Sequence, residues 1–87
     1  MKVFKVRVTA KDIACGDQRS LSSCPVAIAL KRDTGILRLE VDGGWVTTWK
    51  NDEKMKVPLP TTAWAWVRHF DAEGPTAVAP INFVIAI

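Results

Sequence analysis

The sequence predicts an α+β fold, a single small two-layer sandwich with an antiparallel-rich sheet and two helices on one of its faces. Three observations lead there. Apolar and polar residues alternate at residues 2–8, 36–41 and 81–87, as half-buried strands require. Two other segments, from Pro25 and from Thr61, carry helix entry and exit signals. Between them Asp42-Gly43-Gly44 is a tight hairpin turn, which makes the strands on either side antiparallel neighbours.

In the first strand Phe4, Val6 and Val8 point one way, Lys5 and Arg7 the other. Thr9 then reads as an N-cap with Asp12 in the capping-box position, opening a short helix over Ala10–Cys15 that Gly16 stops. Residues 17–23 are polar, lack periodicity and form a loop. Cys24-Pro25 begins a helix over Pro25–Arg32, with proline in its first turn, basic residues near its end and Gly35 as its stop. Ile36–Val41 is a strand with Leu37, Leu39 and Val41 on one face. Trp45–Lys50 is its hairpin partner, and Asn51–Lys54 makes the next turn. Met55, Val57 and Leu59 follow as a short strand, confined to an edge by Pro58 and Pro60. Thr61 or Thr62 caps a second main helix running to about Ala72, whose apolar positions Ala63, Trp66, Val67 and Phe70 share one face. Gly74-Pro75 ends it. Ile81–Ile87 is the most apolar strand and is expected at the centre of the sheet. The resulting order, β-α-β-β-β-α-β with the short first helix set aside, is similar in outline to the ferredoxin-like split βαβ arrangement.

At 87 residues the chain suits one domain, 1–87, and leaves no room for a separate cofactor domain. With 48% hydrophobic and 24% charged residues it has enough apolar surface to offset the entropy of ordering, which excludes a disordered chain. Alternating charges in Met1–Val8 interrupt any signal-peptide apolar stretch, and no apolar run approaches a membrane span of roughly 18–20 residues. A soluble, cytoplasmic protein without a membrane partner is the expectation.

Chemistry is sparse. Cys15 and Cys24 are the only cysteines and His69 the only histidine, too few for a zinc site, so no metal or cofactor is expected and the cysteines are expected as free thiols. Cys24, at a helix start, is the one thiol whose pKa the amide dipoles could depress. Asp71 lies two residues from His69, so their side chains diverge, and no nucleophile-base pair emerges. No catalytic residue is assigned, and the protein is expected not to be an enzyme.

Two binding surfaces can be drawn. Lys5, Arg7 and Arg38 project away from the core, and with Trp45 and Trp49 they would form a basic, aromatic sheet face able to stack bases of a single-stranded nucleic acid or a nucleotide. Against this stands the other side of that strand, Val46, Thr48 and Lys50, which is the more polar one. The expectation is therefore that Trp45 and Trp49 enter the core, and a net charge of only +3 adds little phosphate attraction. On the second main helix Trp64 and Trp66 lie about 200° apart, so Trp64 falls at the flank of the buried face or in solvent, where a tryptophan can anchor a protein partner. A homodimer through the Trp64 surface is open on the same ground.

Several motifs occur together: Val8-Thr9-Ala10-Lys11-Asp12-Ile13-Ala14-Cys15-Gly16, then Cys24-Pro25-Val26-Ala27-Ile28-Ala29-Leu30, Leu59-Pro60, Phe70-Asp71-Ala72 and Pro80-x-x-Phe83. In this the chain resembles small uncharacterised proteins of bacteriophages and prophages. The resemblance covers most of the chain but carries no catalytic residue. It implies a phage or prophage accessory protein, expected to act by binding a host or phage protein through Trp64, counter-defence or host takeover being specific forms. Nucleic-acid binding is the alternative.

Overall fold

A computed structural model describes all 87 residues. In chain order these form β1 (Val3–Val8), α1 (Ala10–Cys15), α2 (Pro25–Thr34), β2 (Leu39–Asp42), β3 (Trp45–Lys50), β4 (Glu53–Pro58), α3 (Thr61–Glu73), a 3-10 turn (Pro75–Ala77) and β5 (Ile81–Ala86). The α+β sandwich is as the sequence predicts, but its strands divide into two antiparallel sheets. One contains β1 and β5, and the other runs β2-β3-β4. The most apolar strand, β5, is accordingly not central: it pairs with β1 alone. Its alternate residues Ile81, Phe83 and Ile85 face the core, and Val84 is 54% exposed on the opposite side. Apolar composition does not by itself imply burial on both faces.

Local chemistry accounts for most element ends. The Thr9 hydroxyl accepts the Asp12 N–H at 3.2 Å, and Asp12 Oδ2 accepts the Thr9 N–H at 2.9 Å, the expected capping box. Cys24 caps α2 through its sulfur, which accepts the Ala27 N–H at 3.4 Å, and Gly35, at φ +76°, ends it in the left-handed conformation that favours glycine. Gly16 acts differently from expectation. Its backbone is extended (φ −80°), but a Cβ there would stand 2.5 Å from the Pro25 ring. Close packing of the α1 exit on the α2 entry requires it, not turn geometry.

Three strand and helix boundaries differ from the sequence reading. β2 begins at Leu39, because Gly35 and the Thr34 hydroxyl, which accepts the Ile36 N–H, hold the preceding residues in an irregular turn. Ile36 and Leu39 both point inward across that turn and leave Leu37 83% exposed. Between β3 and β4 the turn is only Asn51-Asp52, both at positive φ (50° and 65°), as a tight hairpin demands, so β4 starts at Glu53. Met55 is exposed, while Val57 and Leu59 are buried. Neither Thr61 nor Thr62 caps α3: Pro60 occupies the cap position without a side-chain bond, and its carbonyl accepts the Trp64 N–H.

One apolar core joins both sheets and all three helices, from Val6 and Val8 in β1 to Leu30 in α2, Val46 in β3, Phe70 in α3 and Ile85 in β5. Trp66 belongs to it as expected, lying nearly parallel to Phe70 at 5.6 Å and donating its indole N–H to Ala79 O at 2.8 Å. α2 packs on β1 and reaches β2. No helix is long and apolar enough to cross a membrane.

Candidate functional site

The outer face of the three-stranded sheet is set by hairpin register. Gly43-Gly44 is a two-residue connection that places Val41 opposite Val46 and Asp42 opposite Trp45, and the Asn51-Asp52 turn places Val57 opposite Val46. Directly opposed residues share a face. Val46 therefore joins Val41 and Val57 toward the core, together with Thr48, which is 2% exposed. Trp45 and Trp49 must take the other side. This corrects the expectation that both enter the core: Trp45 is 45% exposed and Trp49 half-buried. The polarity of Thr48 misled, because the apolar columns of β2 and β4 decide the orientation of the strand between them.

Each outward tryptophan carries cations. The Arg38 guanidinium lies 4.9 Å from the centre of the Trp49 ring, with the Lys54 ammonium 6.0 Å away, and the Lys56 ammonium is 4.8 Å from the centre of Trp45. Attraction to the negative ring faces holds these side chains flat along the sheet, at about 0.5–1 kcal/mol each where exposed. Thr47, between the two tryptophans on the same face of β3, is buried and is paired with Glu40 on one side and Lys56 on the other. On this face the β2 side carries Glu40 and Asp42 with Arg38 at its Trp49 end, β3 the two tryptophans, and β4 the basic Lys54 and Lys56.

Arg38, Trp45 and Trp49 are brought together as the alternative site requires. Lys5 and Arg7 are not: they lie on the exposed face of the β1–β5 sheet, beside Asn82 and Val84. Lys54 and Lys56 were missed by sequence reasoning. Their signal was present in the alternation Lys54, Lys56, Pro58 against Met55, Val57, Leu59.

Trp64 is half-buried at the flank of α3, packed against the core and lying over Gly44 of the β2–β3 turn, where a Cβ would stand 3.8 Å from the indole. The Arg68 guanidinium covers it at 5.0 Å. Beyond Arg68 an open depression of about 640 Å³ is lined by Arg19, His69, Asp71 and Glu73 among others. The 17–23 loop is pinned there. Gln18 donates its amide to Phe70 O and Asp71 O at 3.2 Å, and Asp71 Oδ1 accepts the Arg19 N–H at 2.9 Å, holding Arg19 at φ +56°.

His69 is exposed and makes no side-chain hydrogen bond; Cys15 is an exposed free thiol and Cys24 a buried one. Burial pushes the Cys24 thiol above its ordinary pKa, against the opposing effect of the Ala27 N–H, so the helix N-terminus does not depress it as the sequence suggested. No group of three His, Cys, Asp or Glu side chains is arranged to hold a metal ion. No family model, curated protein or solved structure matches the chain.

Proposed function

We propose that the protein is a non-enzymatic binding module that takes single-stranded nucleic acid on the outer face of the β2-β3-β4 sheet. The observation that supports this reading is the outward pair Trp45 and Trp49, with Arg38, Lys54 and Lys56 over the rings. Four residues of extended strand separate the rings by about 13 Å, so each would receive a separate base. A base stacking on Trp45 displaces the Lys56 ammonium, which then meets the adjoining phosphate. Stacking and phosphate neutralisation reinforce one another, and neither reads sequence. Glu40 and Asp42 would repel phosphate from the β2 side except at Arg38, and so direct the strand along β3 and β4. Titration of tryptophan fluorescence with a short oligonucleotide at low salt tests this reading. Quenching that weakens with added salt is the expected result, and its absence would refute the proposal.

A second reading is a phage or prophage accessory protein that binds a host or phage protein through Trp64, with counter-defence or host takeover as its role. It is supported by Arg68 stacked over Trp64 beside an open depression, since tryptophan and arginine dominate protein interfaces. Here Trp64→Glu would abolish capture of the partner while leaving oligonucleotide quenching intact. A cytoplasmic location suits both readings, as Cys15 and Cys24 would remain reduced there.

A further inference from the structure

Lys2 and Ile87 exchange both backbone hydrogen bonds, Lys2 N–H to Ile87 O at 3.0 Å and Ile87 N–H to Lys2 O at 2.9 Å. Antiparallel pairs alternate between bonded and non-bonded, so Phe4 with Ile85, Val6 with Phe83 and Val8 with Ile81 are the bonded pairs of this sheet. The N–H and C=O groups of Asn82, Val84 and Ala86 therefore point away from β1. No other backbone or side-chain group in the chain meets them. The opposite edge of the sheet behaves differently. There Arg7 N–H donates to Asp33 Oδ2 at 2.9 Å and Arg7 O accepts from Arg32, so two side chains of α2 block that edge at its Arg7 end, while the outward groups of Val3 and Lys5 meet no partner.

The remaining edges are also guarded. On β2 the Val41 N–H donates to Leu21 O, and β4 carries Glu53, Lys54 and Lys56, charges of the type that discourages edge-to-edge pairing. β5 has the sequence INFVIA, without charge, proline or glycine. An apolar groove of about 450 Å³, bordered by Pro58, Leu59 and Pro60, runs beside Val84–Ala86.

We propose that the free edge of β5 pairs antiparallel with β5 of a second copy of this chain, joining two β1–β5 ribbons into one four-stranded sheet. The register is self-complementary about Val84. A two-fold axis there sets Val84 opposite its own copy and Asn82 opposite Ala86 on both sides, and each of these pairs exchanges two backbone bonds. Because β5 bears no charge, self-pairing opposes no like charges. The same operation on β4, about Lys56, would set two lysines directly opposite one another along a proline-ended strand, a like-charge pair that opposes it. The exposed Val84 side chains meet across the axis on the outer face.

Sedimentation from low micromolar to near-millimolar protein tests the pairing. The mass should rise from 9.6 kDa toward twice that value. Amide exchange at Asn82, Val84 and Ala86 should be fast in the dilute protein and protected in the concentrated one, which separates this contact from a dimer through Trp64. Val84→Lys and Val84→Glu each place a charge opposite its own copy and should remain monomeric, with unchanged circular dichroism because the side chain lies on the solvent face. An equal mixture of the two should recover the dimer, since opposite charges then meet. A wild-type chain that stays at 9.6 kDa throughout, or a Val84→Lys variant that dimerises as well as wild type, would overturn the proposal.

Discussion

Lys56 holds its ammonium 4.8 Å from the centre of the Trp45 ring, on the side of the sheet turned away from the core. A cation resting on an exposed ring marks a surface that can exchange that cation for a base, and the lost attraction is small beside what stacking supplies. Trp45→Ala and Trp49→Ala should each weaken oligonucleotide binding by about 1–3 kcal/mol, roughly 5- to 150-fold. Lys56→Ala should instead lower affinity evenly across sequences and reduce the slope of log K against log salt by about 1. Fluorescence titration at two salt concentrations measures both effects. Unchanged binding in the two tryptophan variants would move the site elsewhere.

The face that carries these residues was partly legible in the sequence. Trp45–Lys50 was recognisable as a strand and Asp42-Gly43-Gly44 as its hairpin, but the strand's own residues do not reveal which side is inward. Trp45 and Trp49 are bulkier and more apolar than Thr48 and Lys50, and by that comparison they belong inside. The information lies in the register across the turn, because Val41 opposite Val46 fixes the face whatever the neighbours are. The division into two sheets was less legible. Which strands pair over a long separation, as β1 does with β5, depends on the packing of the whole chain, not on any local pattern. Caps and stops such as Thr9, Gly35 and Gly74 were readable because their physics is confined to a few residues.

Arg32 ties three elements together. Its Nη1 donates to both carboxylate oxygens of the buried Asp12 at 2.7 and 2.9 Å, its Nε to Asp33 Oδ1 at 3.1 Å, and its Nη2 to Arg7 O. Arg32→Ala leaves Asp12 buried and unpaired, and should cost about 2–3 kcal/mol in urea unfolding at neutral pH, below the full loss for a buried pair because the guanidinium is partly solvated. Asp33 adds a pH dependence. Partial burial works to raise its pKa, but the Arg32 side chain, the Arg7 N–H and both positive charges together hold it below the ordinary carboxylate value. Protonation is thus easier in the unfolded chain, so the stabilisation is complete above about pH 4 and is lost as pH falls through the depressed native value. Asp33→Asn should lower stability at pH 7 and converge with wild type in strong acid. A constant gap across that range would exclude Asp33 as the titrating group.

Gly16 and Gly35 make opposite demands on an added methyl group. At Gly35 the space is open but φ is +76°, so Gly35→Ala should cost about 1 kcal/mol through backbone strain alone. At Gly16 the backbone is acceptable to any residue, and the obstacle is the buried Pro25 ring. Gly16→Ala should destabilise by about 1–3 kcal/mol as overpacking does, and Pro25→Ala in the same chain should restore part of the loss. Thermal unfolding of the two single variants and the double variant checks this. Simple additivity would show that Pro25 is not what Gly16 accommodates.

Cys24 combines two roles that substitution can separate. Its sulfur caps α2 by accepting the Ala27 N–H, and its side chain fills a core site with almost no solvent contact. Cys24→Ala keeps the apolar character but leaves an amide of the first turn unpartnered, at about 1 kcal/mol for a lost cap. Cys24→Ser supplies a stronger acceptor at nearly the same position, although it buries a hydroxyl. The cap outweighs that desolvation when the hydroxyl is bonded, so Cys24→Ser should be the more stable of the two variants at equilibrium. The thiol itself, raised by burial, should resist labelling in the folded protein while the exposed Cys15 reacts readily, and should become reactive only on unfolding. If Cys24→Ala proves as stable as Cys24→Ser, the sulfur contributes packing alone and the bond to Ala27 adds nothing measurable.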